Sequence, residues 1–482
     1  MANNIDYLQT KSLAIKCESC LFAPDPNKLD DIKQFLQNSN LSQKFFQSNY
    51  NRLIFTIQMI LAEIPKSVKN SKFSADQLFR KCLEIYQILF QKVSIKDSKI
   101  FDTIFKMFSL LIDRQSSNQR NNDSKIIHLS DNSTKLLIDC TIQLLSTCNQ
   151  SMFRDFIFNQ TGTVQFETMY GMLTNNLLQI IIENDYQPLK TASLDLMSTM
   201  YLKIIDKQLS DFNYNSLNSN QKNDEKFERF SKFIASILPG LLSKIWKLLN
   251  RCSNGDYHNL QSNVIIAALR LLNIVFLIVF ENIGKFTEEL LNDEKFYRNL
   301  STIISDIIDI LIEHTDLNVR LNLLKFSKSL LFNCDDEKFV QKQIDNLIKI
   351  PLNYIGSISI NEQQDEHRNE MNDLCKNFSA KILEKLNMIE ILQKKLFDHL
   401  TQMPYTFRNI HNHNSNRIVT KTCLKSSFQI LIGFIHTLNR TGIYDFLKLE
   451  QHNHHLFRTL INLSEFDFKH SKYAVYEDVD DS

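Results

Sequence analysis

Glycine and proline are scarce in this chain, with 8 Gly and 7 Pro among 482 residues, and Trp occurs only once. Tight β-hairpins depend on glycine or Asn-Gly at their turns, so this composition argues against an all-β fold. The sequence also lacks GxGxxG, GxxxxGK[ST], HExxH and GxSxG, the motifs of nucleotide-binding loops, zinc proteases and serine hydrolases. We therefore expect no enzymatic activity and no cofactor.

An excess of charge of one sign is also missing, because 55 Lys and Arg stand against 54 Asp and Glu. Such a chain has no general attraction to nucleic acid, so we expect no nucleic-acid partner. The nine cysteines are scattered and odd in number, and the first residues contain no apolar run typical of a signal peptide. These features favour a reducing compartment, and we expect the cytoplasm, with the nucleus as a second location.

The longest apolar run is VIIAALRLLNIVFLIVF at residues 264–280. Arg270 and Asn273 interrupt it, and the remainder is shorter than the roughly 20 residues that cross a bilayer. We predict a core helix rather than a membrane span.

Apolar residues recur along the chain at steps of three and four, which indicates amphipathic helices. The segment 301–314 shows this period clearly, and the predicted helix 319–332 has two apolar faces. One face carries Val319, Leu323, Phe326 and Leu330, and the other carries Leu321, Leu324 and Leu331. A helix with two apolar faces needs a partner within its own pair and another from the next pair.

The same two-helix unit is predicted elsewhere, without a fixed period: 74–93 with 98–113, 164–182 with 187–204, 231–250 with 263–281, and 384–402 with 417–437. The predicted fold class is all-α, an α-solenoid of degenerate HEAT/armadillo-like helix pairs.

Two groups of possible metal ligands carry little weight. Cys17 and Cys20 form a single CxxC, whereas structural zinc needs four ligands. Five histidines lie in two polar segments among asparagines, which favours solvated side chains over a metal site: His411, His413, His452, His454 and His455. We predict no metal site.

The segment DLNVR at 316–320 has an unusual charge for the start of a helix. Asp316 stands at the capping position, Val319 on an apolar face, and Arg320 in the first turn, where the helix dipole disfavours a cation by roughly 0.3–1 kcal/mol. HEAT-type solenoids place such a Val-Arg at the junction of a helix pair, where the arginine reaches an acceptor in the same or the adjacent repeat. The alternative is a solvated arginine on an ordinary helix.

The order of several motifs resembles the N-terminal half of the Tel-two-interacting protein one family, a HEAT-repeat scaffold of the triple-T co-chaperone complex. Leu238 with Pro239 and Gly240 comes first, then the apolar helix 264–276, then the junction 316–320. Pro188 opens a segment similar to an earlier repeat, and Met403, Pro404 and Arg408 resemble a short corner of the family. The resemblance spans about residues 165–440.

This resemblance implies a non-enzymatic protein-binding scaffold. Its expected partners are Tel-two-like and second Tel-two-interacting subunits, phosphatidylinositol-3-kinase-like kinases and the heat-shock-ninety chaperone machinery. The alternatives are a nuclear transport receptor or chromosome-associated HEAT scaffold and, in a different class, an enzyme or lipid-binding protein with a deep apolar cavity beside the 264–280 helix.

The predicted domains follow the resemblance. Residues 1–160 form N-terminal helical repeats, 161–440 HEAT-like repeats resembling the family, 441–475 terminal helices, and 476–482 an acidic disordered tail.

Overall fold

A computed structural model of the chain describes most of its first 333 residues. The described residues are 2–38, 41–67, 74–117, 129–158, 163–205, 225–250, 260–280, 294–312 and 314–333, together with Gln343, Leu347 and Ile350. The predicted helices 384–402 and 417–437 and the predicted tail therefore lie outside the described residues.

Thirteen helices, and no strand, make up the described part of the chain. They are α1 (Ala2–Phe22), α2 (Pro26–Gln37), α3 (Gln43–Ser67), α4 (Ala75–Lys92), α5 (Ser98–Ser117), α6 (Asp131–Thr147), α7 (Gln150–Phe158), α8 (Thr163–Glu183), α9 (Gln187–Ile204), α10 (Glu225–Asn250), α11 (Ser262–Phe280), α12 (Glu294–Leu311) and α13 (Leu317–Asn333). The all-α prediction is confirmed. Of the predicted boundaries, 187–204 matches α9, whereas the segment predicted to start at 301 starts at Glu294 as α12.

Helices α4 and α6 begin and end without glycine. Ser74 and Ser130 cap α4 and α6, each accepting a hydrogen bond from the backbone N–H three residues later. At the other ends, Val93 and Cys148 leave the helix in extended conformations rather than in the left-handed one that glycine favours. At these helix ends, serine caps and extended exits thus stand in place of glycine.

The chain divides into two units, Met1–Asn282 and Ile283–Ser482. In the first unit the helices pair as α1/α2, α3/α4, α5/α6, α8/α9 and α10/α11, and α7 is a short extra helix against α5 and α9. The second helices of the pairs, α2, α4, α6, α9 and α11, pack side by side in series and form one layer, called here the second layer. The first helices, α1, α3, α5, α8 and α10, form the first layer. In the second unit, α12 packs against α13.

One predicted pair is wrong. The segments 74–93 and 98–113 are α4 and α5, but α4 packs chiefly against α2, α3 and α6, whereas α5 pairs with α6. The direct contact between α4 and α5 is made by Phe108, whose ring lies 5.4 Å from that of Tyr86 and 6.5 Å from that of Phe90. The other two predicted pairs of the first unit, α8/α9 and α10/α11, are present.

Aromatic side chains fill the junctions between helices. Phe101 and Phe105 of α5 lie against Phe153 and Phe156 of α7, with ring centroids 5.4 to 6.2 Å apart. Such edge-on contacts add about 0.5–1.5 kcal/mol each beyond the area that they bury. The high phenylalanine content of the chain therefore serves the packing of helix against helix.

Hydrogen bonds between successive helix pairs show a regular sequence separation that is not visible in the pattern of apolar residues. They join residues 53 to 57 positions apart on passing from α4 to α6 and from α6 to α9. For example, Ser130 donates to Asp76 at 2.9 Å, and Asn184 donates to Asp131 at 2.6 Å. From α9 to α11 the separation grows to 74 or 75, because α10 and the segments on both sides of it are longer than α8 and the segments that flank it.

Helix α11 is the one described helix that is long and apolar enough to cross a membrane. Within it, 78% of the segment Ser262–Val279 is buried inside the protein, and α11 packs along α9 and α10. Arg270, one of its two polar interruptions, reaches the carboxylate of Asp195 on α9 at 3.3 Å. The packing of α11 is that of a core helix.

Both apolar faces of α13 are buried. Val319, Leu323 and Leu324 are fully inaccessible, and Phe326, Leu330 and Leu321 are at most 4% exposed. The prediction of a helix covered on two sides is therefore confirmed for these six side chains.

Leu323→Asp should lower the stability of the chain by several kcal/mol, because it places a carboxylate in a fully buried apolar site. Asn318→Asp adds the same charge at an exposed first-turn position of the same helix and should change stability by less than about 0.5 kcal/mol. Thermal denaturation followed by circular dichroism measures both, and equal midpoints for the two variants would contradict this assignment of the faces.

Candidate interaction surface

Large exposed apolar side chains are confined to the first layer in the described part of the chain. They lie on α1, α3, α5 and α8, and none belongs to a second-layer helix: Tyr7, Leu8, Ile15, Leu21, Phe22, Phe55, Met59, Leu110 and Met172. Seven of these nine residues lie on α1 and α3. Apolar residues concentrated in this way on an otherwise polar surface are typical of a protein contact site.

Helices α1 and α3 lie side by side and run in the same direction. Asn49 of α3 donates to the Thr10 hydroxyl of α1 at 3.1 Å, and Ser42 donates to Asp6 at 3.3 Å. The residue numbers rise together in the two contacts, so the helices are parallel. On the inner side of α1, Leu13, Cys17 and Cys20 are buried. The outer faces of α1 and α3 therefore form one two-helix surface, called here the apolar outer surface.

The second layer instead carries a row of charged side chains, called here the charged ridge: Asp30, Lys33, Lys81, Glu84, Lys135, Asp139, Asp195 and Arg270. Lys33 of α2 lies 2.7 Å from Glu84 of α4, and Lys81 of α4 lies 2.7 Å from Asp30 of α2. These two ion pairs tie α2 to α4, and Arg270 with Asp195 ties α11 to α9, whereas Lys135 and Asp139 pair within α6. The ion pairs between helices fix the register at those two junctions.

The pKa of Glu84 is lowered by this pairing. Partial burial pushes the pKa of its carboxyl up, but hydrogen bonds and charges from Lys33 and Lys81 outweigh that and leave it below its usual value. Asp195 shows the opposite balance: burial raises its pKa, and the nearby Arg270 offsets only part of that rise.

The junction before α13 explains the early arginine. The backbone carbonyl of Asp316 accepts the N–H of Arg320 at 3.2 Å, and its carboxylate accepts the N–H of Asn318 at 2.8 Å, which is an N-cap arrangement. The Nε of Arg320 donates to the carbonyl of His314, which follows the C-terminus of α12. The cation therefore lies near the negative end of the α12 dipole, where it is favourable. This acceptor lies in the connection between the two helices of the same pair.

The prolines and the glycine on which the family resemblance rests lie in different surroundings. Pro188 is the second residue of α9, in the first helical turn. Pro239 and Gly240 lie inside α10 and are exposed, and a side chain added at Gly240 would meet no atom within 4 Å. Close packing therefore does not require this glycine. Pro404 lies outside the described residues, and so do the five histidines of the two clusters.

The cysteines of the described part are free and buried. Burial raises the pKa of the Cys20 thiol to about 11 and that of Cys148 to about 11, which keeps both protonated and unreactive at neutral pH. No group of three or more metal-ligating side chains occurs among the residues that the structure describes.

The apolar outer surface was not predicted from the sequence. The helical period of apolar residues identifies a helix, but it does not show whether a second apolar face is covered by another helix or exposed to solvent. A usable signal was present in α1, where Leu8, Ile15 and Phe22 recur at intervals of seven, on the side opposite Leu13, Cys17 and Cys20.

Glu84→Gln should destabilise the chain by about 1–3 kcal/mol, because Lys33 and Lys81 lose a partly buried anion. The stabilisation by Glu84 is present above the usual glutamate pKa and is lost as the pH falls through its lowered value. Urea denaturation at neutral pH measures the loss. Glu228→Gln, which removes the anion of a more exposed pair with Lys232, should cost under about 1 kcal/mol, and an equal loss in both variants would refute a special role for the ridge.

Acidification should weaken the junction at His314. Its Nδ1 accepts the N–H of Asp316 at 3.0 Å, which requires an unprotonated nitrogen, and burial lowers the pKa of the imidazole. The unfolded chain binds this proton more readily, so the stabilisation is present above about pH 6.5 and is lost as the pH falls. His314→Asn keeps an acceptor that does not titrate. Its thermal midpoint should fall less than that of the parent chain between neutral and mildly acidic pH, and parallel falls would contradict the assignment.

Comparison with known families adds an independent finding. A protein-family model described as the TTI1 N-terminal TPR domain matches residues 11–350, which is more than half of the chain. A comparison with curated proteins finds no match. The family description uses the repeat name TPR where the sequence analysis predicted HEAT-like repeats, and both repeats are helix pairs stacked into a solenoid. The match also extends the resemblance from about residue 165 towards the N-terminus.

Proposed function

The chain belongs to the TTI1 family, and on that premise we propose that it supports the folding, stability and assembly of phosphatidylinositol-3-kinase-like kinases together with the heat-shock-ninety chaperone system. It would do so as a non-enzymatic scaffold bound to a Tel-two-like subunit and a second Tel-two-interacting subunit. The observation that carries the proposal is the family match over residues 11–350. The proposed location is the cytoplasm, with the nucleus as a second site.

The arrangement of the helices supports a binding role. The second layer fixes the register of the pairs through the charged ridge, while the first layer leaves large apolar side chains accessible on α1 and α3. A scaffold of this kind offers a firm framework with a partly apolar contact surface, which is what a protein partner requires.

Affinity purification of the full-length chain from its own cells, followed by quantitative mass spectrometry, tests the proposal. We expect enrichment of Tel-two-like and second Tel-two-interacting proteins, kinases of the named class and chaperone components. Depletion of the chain should lower the steady-state level of those kinases without lowering their messenger RNA, and re-expression should restore it. Leu323→Asp, which disrupts α13, should fail to restore the kinases, whereas Asn318→Asp should succeed.

Two results would overturn the proposal. One is unchanged kinase levels after depletion. The other is a purification that yields a Ran-like GTPase or chromosomal ring complexes in place of the expected partners, since these would assign the chain to transport or chromosome structure.

A further inference from the structure

We infer that the outer face of α1 binds the same face of a second copy of this chain, with the two α1 helices antiparallel. This contact is independent of the partners proposed above. It is carried by the spacing of three exposed apolar residues and by the charges placed between them.

Three apolar side chains form a straight row on the outer face of α1. Leu8, Ile15 and Phe22 are 64%, 59% and 91% exposed, and each follows the last by seven residues. Seven residues make nearly two full helical turns, so the row runs along the helix for about 21 Å. It faces away from the buried Leu13, Cys17 and Cys20, which hold α1 to its own chain. The row is therefore presented to a neighbour and not to the core.

Opposite charges occupy the gaps in this row. Lys11 lies between Leu8 and Ile15, Glu18 lies between Ile15 and Phe22, and both are exposed. The two are seven residues apart on one helix, about 10 Å along its axis, which is beyond the three- or four-residue spacing of ion pairs within a helix. Each is thus placed to attract a charge supplied from outside α1.

A two-fold axis through Ile15 satisfies every one of these residues. In the antiparallel arrangement Ile15 meets its own copy and Leu8 comes to the height of Phe22 of the second chain. Lys11 comes to within one residue, about 1.5 Å along the axis, of its Glu18. A parallel arrangement would bring lysine to lysine and glutamate to glutamate, which is repulsive. Self-complementarity about one point is the property that an isologous dimer interface needs.

The neighbouring helix enlarges this contact. Phe55 and Met59 of α3 are 57% and 43% exposed and belong to the same two-helix surface. A contact built on one helix and the rim of another remains smaller than a standard interface, so we expect a reversible dimer that forms at micromolar concentrations.

Charge exchange at positions 11 and 18 of the full-length chain tests this contact. Sedimentation velocity at up to tens of micromolar should show the parent chain dimerising, and Lys11→Glu and Glu18→Lys should each weaken dimerisation by about tenfold or more. An equimolar mixture of the two single variants should dimerise again, because every contact between unlike chains then joins opposite charges. The double variant Lys11→Glu/Glu18→Lys should also dimerise, since it only exchanges the two signs.

Both positions are exposed, so the variants should keep the thermal midpoint of the parent chain, which circular dichroism checks. A parent chain that stays monomeric over the whole range would overturn the inference, and so would single variants that dimerise as well as the parent. Restoration in the mixture and the double variant distinguishes a second copy from a different protein that occupies the same face. Loss of dimerisation without such restoration would also overturn the antiparallel contact.

Discussion

The fold depends on a simple constraint: helices that are apolar on two sides cannot bury both sides within a single pair. Helix α9 illustrates it, because it packs against α8 of its own pair and against α6 and α11 on either side. Apolar burial of this kind contributes roughly 25 cal/mol per Å² removed from water. The pair α8/α9 is consequently stabilised by its neighbours as well as by its own contact, and the helices of the first unit form stacked layers.

Polar contacts then select one stacking among those that burial alone would allow. The pairs Lys33–Glu84 and Lys81–Asp30 cross from α2 to α4, and Arg270–Asp195 crosses from α11 to α9. A shift of one helix by a single turn would separate these charges while leaving much apolar area buried. The ion pairs therefore add specificity of register, and the greater part of the stability comes from the apolar core.

Sequence periodicity predicted the helices well and their neighbours less well. The buried faces of α13 and the first-turn position of Pro188 follow from local patterns, and the structure places Arg320 against the carbonyl of His314. The pairing of α4 with α5 failed because consecutive helices need not be partners: α4 packs against α2, α3 and α6, and α5 pairs with α6. Order along the chain is a poor guide to partners when a helix is apolar on two sides. The apolar outer surface was missed for a related reason, because the sequence pattern does not show which apolar faces are covered by another helix.

The longer step from α9 to α11 shows that the stacking accepts segments of different length. The segment between α9 and α11 is about eighteen residues longer than the one between α6 and α9, yet Asp195 pairs with Arg270, and Gln187 accepts a hydrogen bond from Gln261. The additional length lies in α10 and in the connections on both sides of it, while α9 and α11 remain neighbours in the second layer. Sequence separation alone therefore does not identify equivalent positions in successive pairs, whereas the contacts between second-layer helices do.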